Sequence, residues 1–299
     1  MRELSSAFAR FDGRPLFNIS PPDMASFPDP ARATSLADAR RQTHHAAQLA
    51  TAAGISFLPR QADDSHTNLE WLPDAGGGAL ASRVVPSSDP FRVAVQVAGL
   101  GLLLLDDRNT VVDSTPLDGR TIADAESWLR ERVGKRGAEK SKFTLAKHYE
   151  IPHHDVDDGK PFDASDRTAF TELAAWFDLA SRHLERVRAA NSSSEVRCWP
   201  HHFDIATLID FAPGKSVGVG MEPGDVYYDE PYFYVNARPE PAGAVDIRLA
   251  GAGFWHTHEW FGAVLPGSRI RSSDGESQVA EFVESAIAAC RGLVGEQAR

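Results

Sequence analysis

The chain has 299 residues, of which 42% are hydrophobic and 24% charged, enough to bury roughly 75% of its unfolded surface and to exclude chain-wide disorder. Thirty-one Lys and Arg against 42 Asp and Glu leave a net charge of −11, which argues against a general nucleic-acid or anionic-membrane binder but not against a local basic pocket or a neutral or cationic ligand. The longest apolar run, Val93 to Leu105, is 13 residues where a membrane span needs about 20. The N-terminus lacks a signal-peptide block, and Cys198 and Cys290 imply no disulfide framework, so a cytoplasmic protein is expected.

Residues 1–34 carry Pro15, Pro21, Pro22, Pro28 and Pro30, and proline at that density forbids a long helix or a central strand. A surface arm is expected there. Ser35 and Asp38 have capping-box spacing, and Ala39, Thr43, Ala46, Ala50 and Ala53 recur at the helical period. A helix is therefore predicted from Ser35, with Gly54 as its stop. From Ile55 to Asp113 the pattern is that of strands. Phe91, Val93, Val95 and Val97 alternate with Arg92, Ala94 and Gln96, the period of a half-buried strand. Leu102 to Leu105 reads as a strand buried on both faces, and Asp106 to Asn109 as a hairpin turn.

Thr121 and Asp124 cap a second predicted helix that ends near Gly134. Residues 130–147 hold seven Lys or Arg against two Glu, a pattern expected of a solvated loop. A third helix follows from Leu173, Phe177, Ala180, Leu184 and Val187, capped by Asp163 or Ser165. Short strands separated by Gly and Pro occupy Val196 to Ile270. A last helix, from about Ser277 to Cys290, places Cys290 in the core. The order predicts an α+β protein: mostly antiparallel sheets with about four packed helices. It hints at two similar lobes, 35–150 and 151–299, the second carrying the candidate site.

Chemistry-bearing residues concentrate between Cys198 and Trp260. On a strand His202 and Asp204 would share a face, and so would His256 and His258. Two His and one carboxylate can hold non-haem iron(II) or catalytic zinc, with positions left open. The alternative is that His202 and Asp204 make ordinary structural hydrogen bonds. Tyr232 and Tyr234 would point one way and Phe233 and Val235 the other, lining a cleft for a small ligand or a core edge. Glu222 would join that cleft. Along His66-Thr-Asn-Leu-Glu-Trp71, alternation would put Glu70 on a polar face, as a further ligand or a general base. His153 to Asp158, between Pro152 and Gly159, reads as a solvated turn. No nucleophile elbow, phosphate loop, paired CxxC or HExxH helix is present.

His-x-Asp followed some fifty residues later by His, with Arg about ten further on, resembles the iron(II)/2-oxoglutarate oxygenase superfamily. The resemblance implies that His202, Asp204 and His256 (or His258) bind iron and that Arg269 anchors 2-oxoglutarate. A second resemblance rests on Thr43-His-His, Asn68-Leu-Glu-Trp71, Pro161-Phe-Asp163, Val196-Arg-Cys-Trp199 and Phe203-Asp-Ile-Ala206. Over roughly residues 40–240 this layout is similar to an uncharacterised bacterial family, a domain of unknown function that brings no activity with it. The expected function is a mononuclear metal-dependent enzyme on a small molecule, with Glu70, Glu222 and Tyr232 as catalytic candidates. The alternative is a metal-free small-molecule-binding or assembly protein.

Overall fold

Helix boundaries follow local chemistry. Thr121 and Asp124 close a reciprocal capping box at the start of α2 (Ile122–Lys135), as predicted from their spacing. α1 (Ala37–Phe57) begins two residues later than expected. Pro30–Ser35 forms a 3-10 turn in which the Ser35 hydroxyl donates to the Arg32 carbonyl, so Ser35 caps nothing. Gly54 does not stop α1 but lies inside it. A Cβ there would meet the His66 carbonyl oxygen at 2.2 Å, so the glycine admits a crossing backbone. α3 (Arg167–Ala190) is capped by Asp166 rather than Asp163 or Ser165, and α4 spans Gly275–Leu293.

The computed structural model describes residues 27–241 and 246–295. Residues 1–26 of the expected arm lie outside the described residues. The described chain is α+β, with two antiparallel sheets. The first runs in chain order: β1 (Glu70–Leu72), β2 (Ala79–Ala81), β3 (Phe91–Gln96), β4 (Gly101–Asp106) and β5 (Val111–Pro116). The second comprises β6 (Arg197–Cys198), β7 (Ile205–Ala212), β8 (Lys215–Glu222), β9 (Tyr232–Arg238), β10 (Phe254–His256) and β11 (Gly262–Pro266). Its strands are ordered β10-β11-β9-β8-β7-β6. Each half of the chain therefore reads helix, antiparallel sheet, helix, but only the first sheet is a simple meander: in the second the chain passes from β9 to the edge strand β10 and returns to place β11 between them.

The first strands of the two sheets meet. The Leu69 N–H donates to the Cys198 carbonyl at 2.9 Å, and the Cys198 N–H to the Leu69 carbonyl at 2.8 Å. That reciprocal antiparallel bridge joins the sheets edge to edge. α1 packs on β3 and β2, α3 on β7, β8 and β1, and α4 on β9, β8 and β11. One buried cluster runs through both halves, from Val93 and Val95 past Trp176 and Phe177 to Val217, Val219 and Phe233.

The opposite faces of the two sheets differ. In the first sheet, β3 is buried at every position, although its alternation predicts a half-buried strand. The reason is the β1–β2 loop. Gln96 donates to the Gly76 carbonyl, and Ala75 packs with Ala79, Ala81, Ala94, Leu103 and Leu105 as a second small core. In the second sheet this face stays open. Ala206 and Leu208 on β7 and Gly218 on β8 remain accessible, whereas their neighbours Ile205, Ile209, Val217 and Val219 are buried. No helix among the described residues is long and apolar enough to cross a membrane.

Candidate functional site

The open face of the second sheet carries a cavity of about 580 Å³. Strand register builds its floor. Gly220 pairs with Tyr234, Gly218 with Asn236 and Glu222 with Tyr232. A Cβ on Gly220 would lie 2.5 Å from the Tyr234 ring and hydroxyl, so the missing side chain lets that tyrosine lie flat across β8. Phe233 and Val235 enter the core while Tyr232 and Tyr234 line the cavity, as their alternation predicts.

Ile205 pairs with Met221, so one step along the strands Asp204 and Glu222 become neighbours. Both side chains reach the cavity, yet they are only 8% and 7% exposed. The Tyr234 hydroxyl donates to Asp204 Oδ2. Asp204 Oδ1 is buried without a partner, and Glu222 receives no hydrogen bond among the described residues. Burial pushes the Asp204 carboxyl upward, against the lowering pull of the Tyr234 hydroxyl and of His202. Burial raises Glu222 well above the usual carboxylate range, and Asp204 and Asp225 push it the same way. The Tyr232 hydroxyl donates to Asp225 Oδ2 at 2.8 Å, and burial raises both tyrosines. Trp199 and Trp260 supply aromatic walls.

His202 and Asp204 both line this cavity, but not as alternate residues of a strand. Trp199–Phe203 is a turn in which the Trp199 carbonyl accepts from the His202 and Phe203 N–H groups. Phe203 has φ +76°, in the left-handed region. The His202 ring lies 4.3 Å from that of His201. His201, His202, Glu222 and Asp225 also border a neighbouring cavity of about 440 Å³. Arg40 reaches that side, with its Nη2 2.9 Å from Asp229.

The other candidates lie apart. His256 ends β10, and its Nε2 lies 2.6 Å from the His258 carbonyl. A carbonyl only accepts, so Nε2 carries the proton and Nδ1 is the acceptor for the Tyr228 hydroxyl at 2.8 Å. Both ring nitrogens are thus engaged, and the ring stacks on Trp260 at 4.3 Å. The His258 side chain is 82% exposed. Arg269 stacks over Phe254, its Cζ 4.5 Å from the ring centroid. Glu70 stands at the seam between the sheets, 2.7 Å from Arg92 Nη2 and 3.4 Å from Arg197 Nη1. It lines a separate pocket of about 180 Å³. Among the described residues no group of three or more His, Cys, Asp or Glu is placed to hold a metal ion.

Other residues are not chemical suspects. Cys290 is buried, and burial pushes its thiol up to about 12. Cys198 is buried too, its thiol raised well above the usual range by burial, which removes the thiolate a nucleophile would need. His153–Asp158 forms a capped 3-10 turn, with His154 as cap. Cavity residues that the sequence did not single out include Asp63, Asn236 and Arg238. Asn236 and Arg238 simply continue the Tyr232, Tyr234 row at period two, which is the signal that finds them. Asp63 comes from a loop 140 residues earlier and carries none.

No protein-family model matches the chain, and neither a curated protein nor a solved structure matches it.

Proposed function

We propose that the chain is a small-molecule-binding protein whose site is the trough over β7, β8 and β9. The observation that carries this is a cavity of about 580 Å³ floored by two buried carboxyls, one of which, Asp204, keeps a buried oxygen without a hydrogen-bond partner. Its size is that of ordinary ligand sites, about 300–1,000 Å³, and so is its make-up of aromatic walls around a few polar groups. Buried polar atoms are normally satisfied. A bound molecule with a donor would complete Asp204.

The test is a fragment library screened by ligand-observed NMR against the wild type and Ala206→Phe. Ala206 lines the trough opposite Gly220, so a phenyl ring there would fill it. Hits lost in a folded Ala206→Phe protein are expected. Hits that persist unchanged in the variant, or a screen without hits, would overturn the reading.

A mononuclear metal enzyme is the second reading. The unpartnered Asp204 Oδ1 beside His202 favours it, and His256 would have to exchange its present hydrogen bonds to become a ligand. Iron(II) or zinc, with 2-oxoglutarate as co-substrate for iron, would be the group bound. Metal content of protein purified without chelator, beside His202→Ala, separates the readings. Near-stoichiometric metal lost in the variant would favour the enzyme.

A further inference from the structure

We propose that the trough is shaped for an organic cation: an ammonium or guanidinium group carried on an apolar or aromatic body. The inference rests on the small-molecule reading and names the class of ligand.

At the acidic end of the trough no permanent cation pairs with Asp204. Asp204 faces only the Tyr234 hydroxyl and the His202 ring. Glu222 feels the lowering pull of Arg40, whose Nη2 lies 2.9 Å from Asp229 and whose Nη1 has no hydrogen-bond partner, so Asp204 is the carboxyl left without a cation. Asp63 and Asp225 add two more carboxyls to the lining. Arg238 stands four residues beyond Tyr234 on β9, roughly 13 Å along the strand, too far to neutralise the pair.

A neutral donor would satisfy Asp204 Oδ1, but only a cation also compensates the charge that these carboxyls take up when they ionise. Hydrogen bonds between ionised partners are roughly twice as strong as neutral ones. The walls fit the same occupant. Trp199, Trp260, Tyr232 and Tyr234 line the trough, and an aromatic face attracts a cation held within about 6 Å of its centroid. The net charge of −11 draws cations toward the surface and repels anions.

Entry of the cation has a definite proton balance. Burial raises both carboxyls in the free protein, which favours their neutral forms. Ion pairing with an ammonium converts one to carboxylate, and its proton passes to solvent. No oxidant, metal or covalent step is required.

The experiment uses three matched compounds: 2-phenylethylamine, 2-phenylethanol and 3-phenylpropionate. Each is titrated at pH 7 into the full chain, into Glu222→Gln and into Asp204→Asn. Thermal melting confirms that each variant is folded. The amine should bind at least tenfold more tightly than the alcohol, and the carboxylate should be weakest. Either variant should lower amine affinity at least tenfold and leave the alcohol unchanged. Calorimetry in buffers of different ionisation enthalpy should show proton release with the amine alone. Equal affinity for amine and alcohol, or an amine preference that survives in both folded variants, would overturn the cation and leave the pocket standing. Amine binding that survives Ala206→Phe would place it elsewhere on the acidic surface and overturn the proposal. Failure of all three compounds to bind the wild type would overturn the small-molecule reading and this inference with it.

Discussion

Glu222→Gln should stabilise the free protein increasingly as pH rises. The substitution keeps shape and volume and removes a titrating group. In the unfolded chain a glutamate ionises near 4.3. In the folded chain burial holds Glu222 neutral well above that point. A group raised on folding contributes stability that is fully present below its unfolded pKa and is lost as pH climbs toward its folded pKa. Each pH unit in that window removes about 1.4 kcal/mol from the wild type and nothing from the glutamine. The stability difference should therefore shift in favour of the variant by up to about 1.4 kcal/mol for each pH unit until the folded carboxyl ionises. The amide NH₂ needs its own partner, which adds a pH-independent offset of about 1–3 kcal/mol. The slope is thus the diagnostic quantity. Urea unfolding of both proteins at pH 5, 6 and 7 measures it. A difference that stays constant across those three pH values would mean that Glu222 ionises as freely folded as unfolded, and would refute the burial argument.

Three further outcomes test other parts of the structure. Gly220→Ala brings a methyl group against the Tyr234 ring at 2.5 Å; it should cost about 1–3 kcal/mol by overpacking and weaken ligand binding, as read by thermal melting and titration. Leu69→Ala empties a fully buried position at the bridge between the sheets; a loss of about 2–5 kcal/mol is expected, still in a single unfolding transition because one core spans both halves, whereas two separated transitions would contradict that core. His44 is lowered by burial to about 4, below its unfolded value near 6.5. Stability tied to it is therefore present above pH 6.5 and falls by up to about 3 kcal/mol as pH drops toward 4; chemical denaturation of the wild type and His44→Gln should show that slope in the difference between them, because His45, His66, His183 and His201 are also lowered by burial and titrate in both.

The parts of the fold that could be read from sequence are those fixed by local chemistry. The Thr121–Asp124 capping box, the apolar stripe of α3 and the alternation of Tyr232 to Val235 each depend on residues within one or two turns. The errors fall where distant chain decides. Gly54 looks like a helix stop, but its lack of a side chain serves the His66 carbonyl crossing it. The β3 alternation looks half-buried, but the loop around Gly76 closes its polar side. His202-Phe-Asp204 looks like a strand, but the Trp199 carbonyl gathers it into a turn and places Phe203 at φ +76°. His202, Asp204, Glu222 and Tyr232 were legible as members of one site because they lie near strands that pair consecutively. His256 and Arg269 were not, since their hydrogen-bonding and stacking partners, Tyr228, the His258 carbonyl and Phe254, are set by loop geometry.

The shared plan of the two halves explains why the site is in only one of them. Each sheet puts one face against helices and leaves the other to be covered or used. In the first half that face holds Ala79, Ala81, Ala94, Leu103 and Leu105, side chains that pack and offer no chemistry. The β1–β2 loop then folds over them, and Arg92, bonded to Glu70, Asn109 and the Ser82 carbonyl, closes the rim. In the second half the matching face holds two glycines, two tyrosines, an asparagine and two carboxyls. Glycines there weaken the sheet, and buried carboxyls short of partners destabilise it further. Neither choice serves folding, since the first half shows a helix-backed antiparallel sheet closed with alanine and leucine. Stability surrendered locally where an alternative is available in the same chain marks a surface kept for binding.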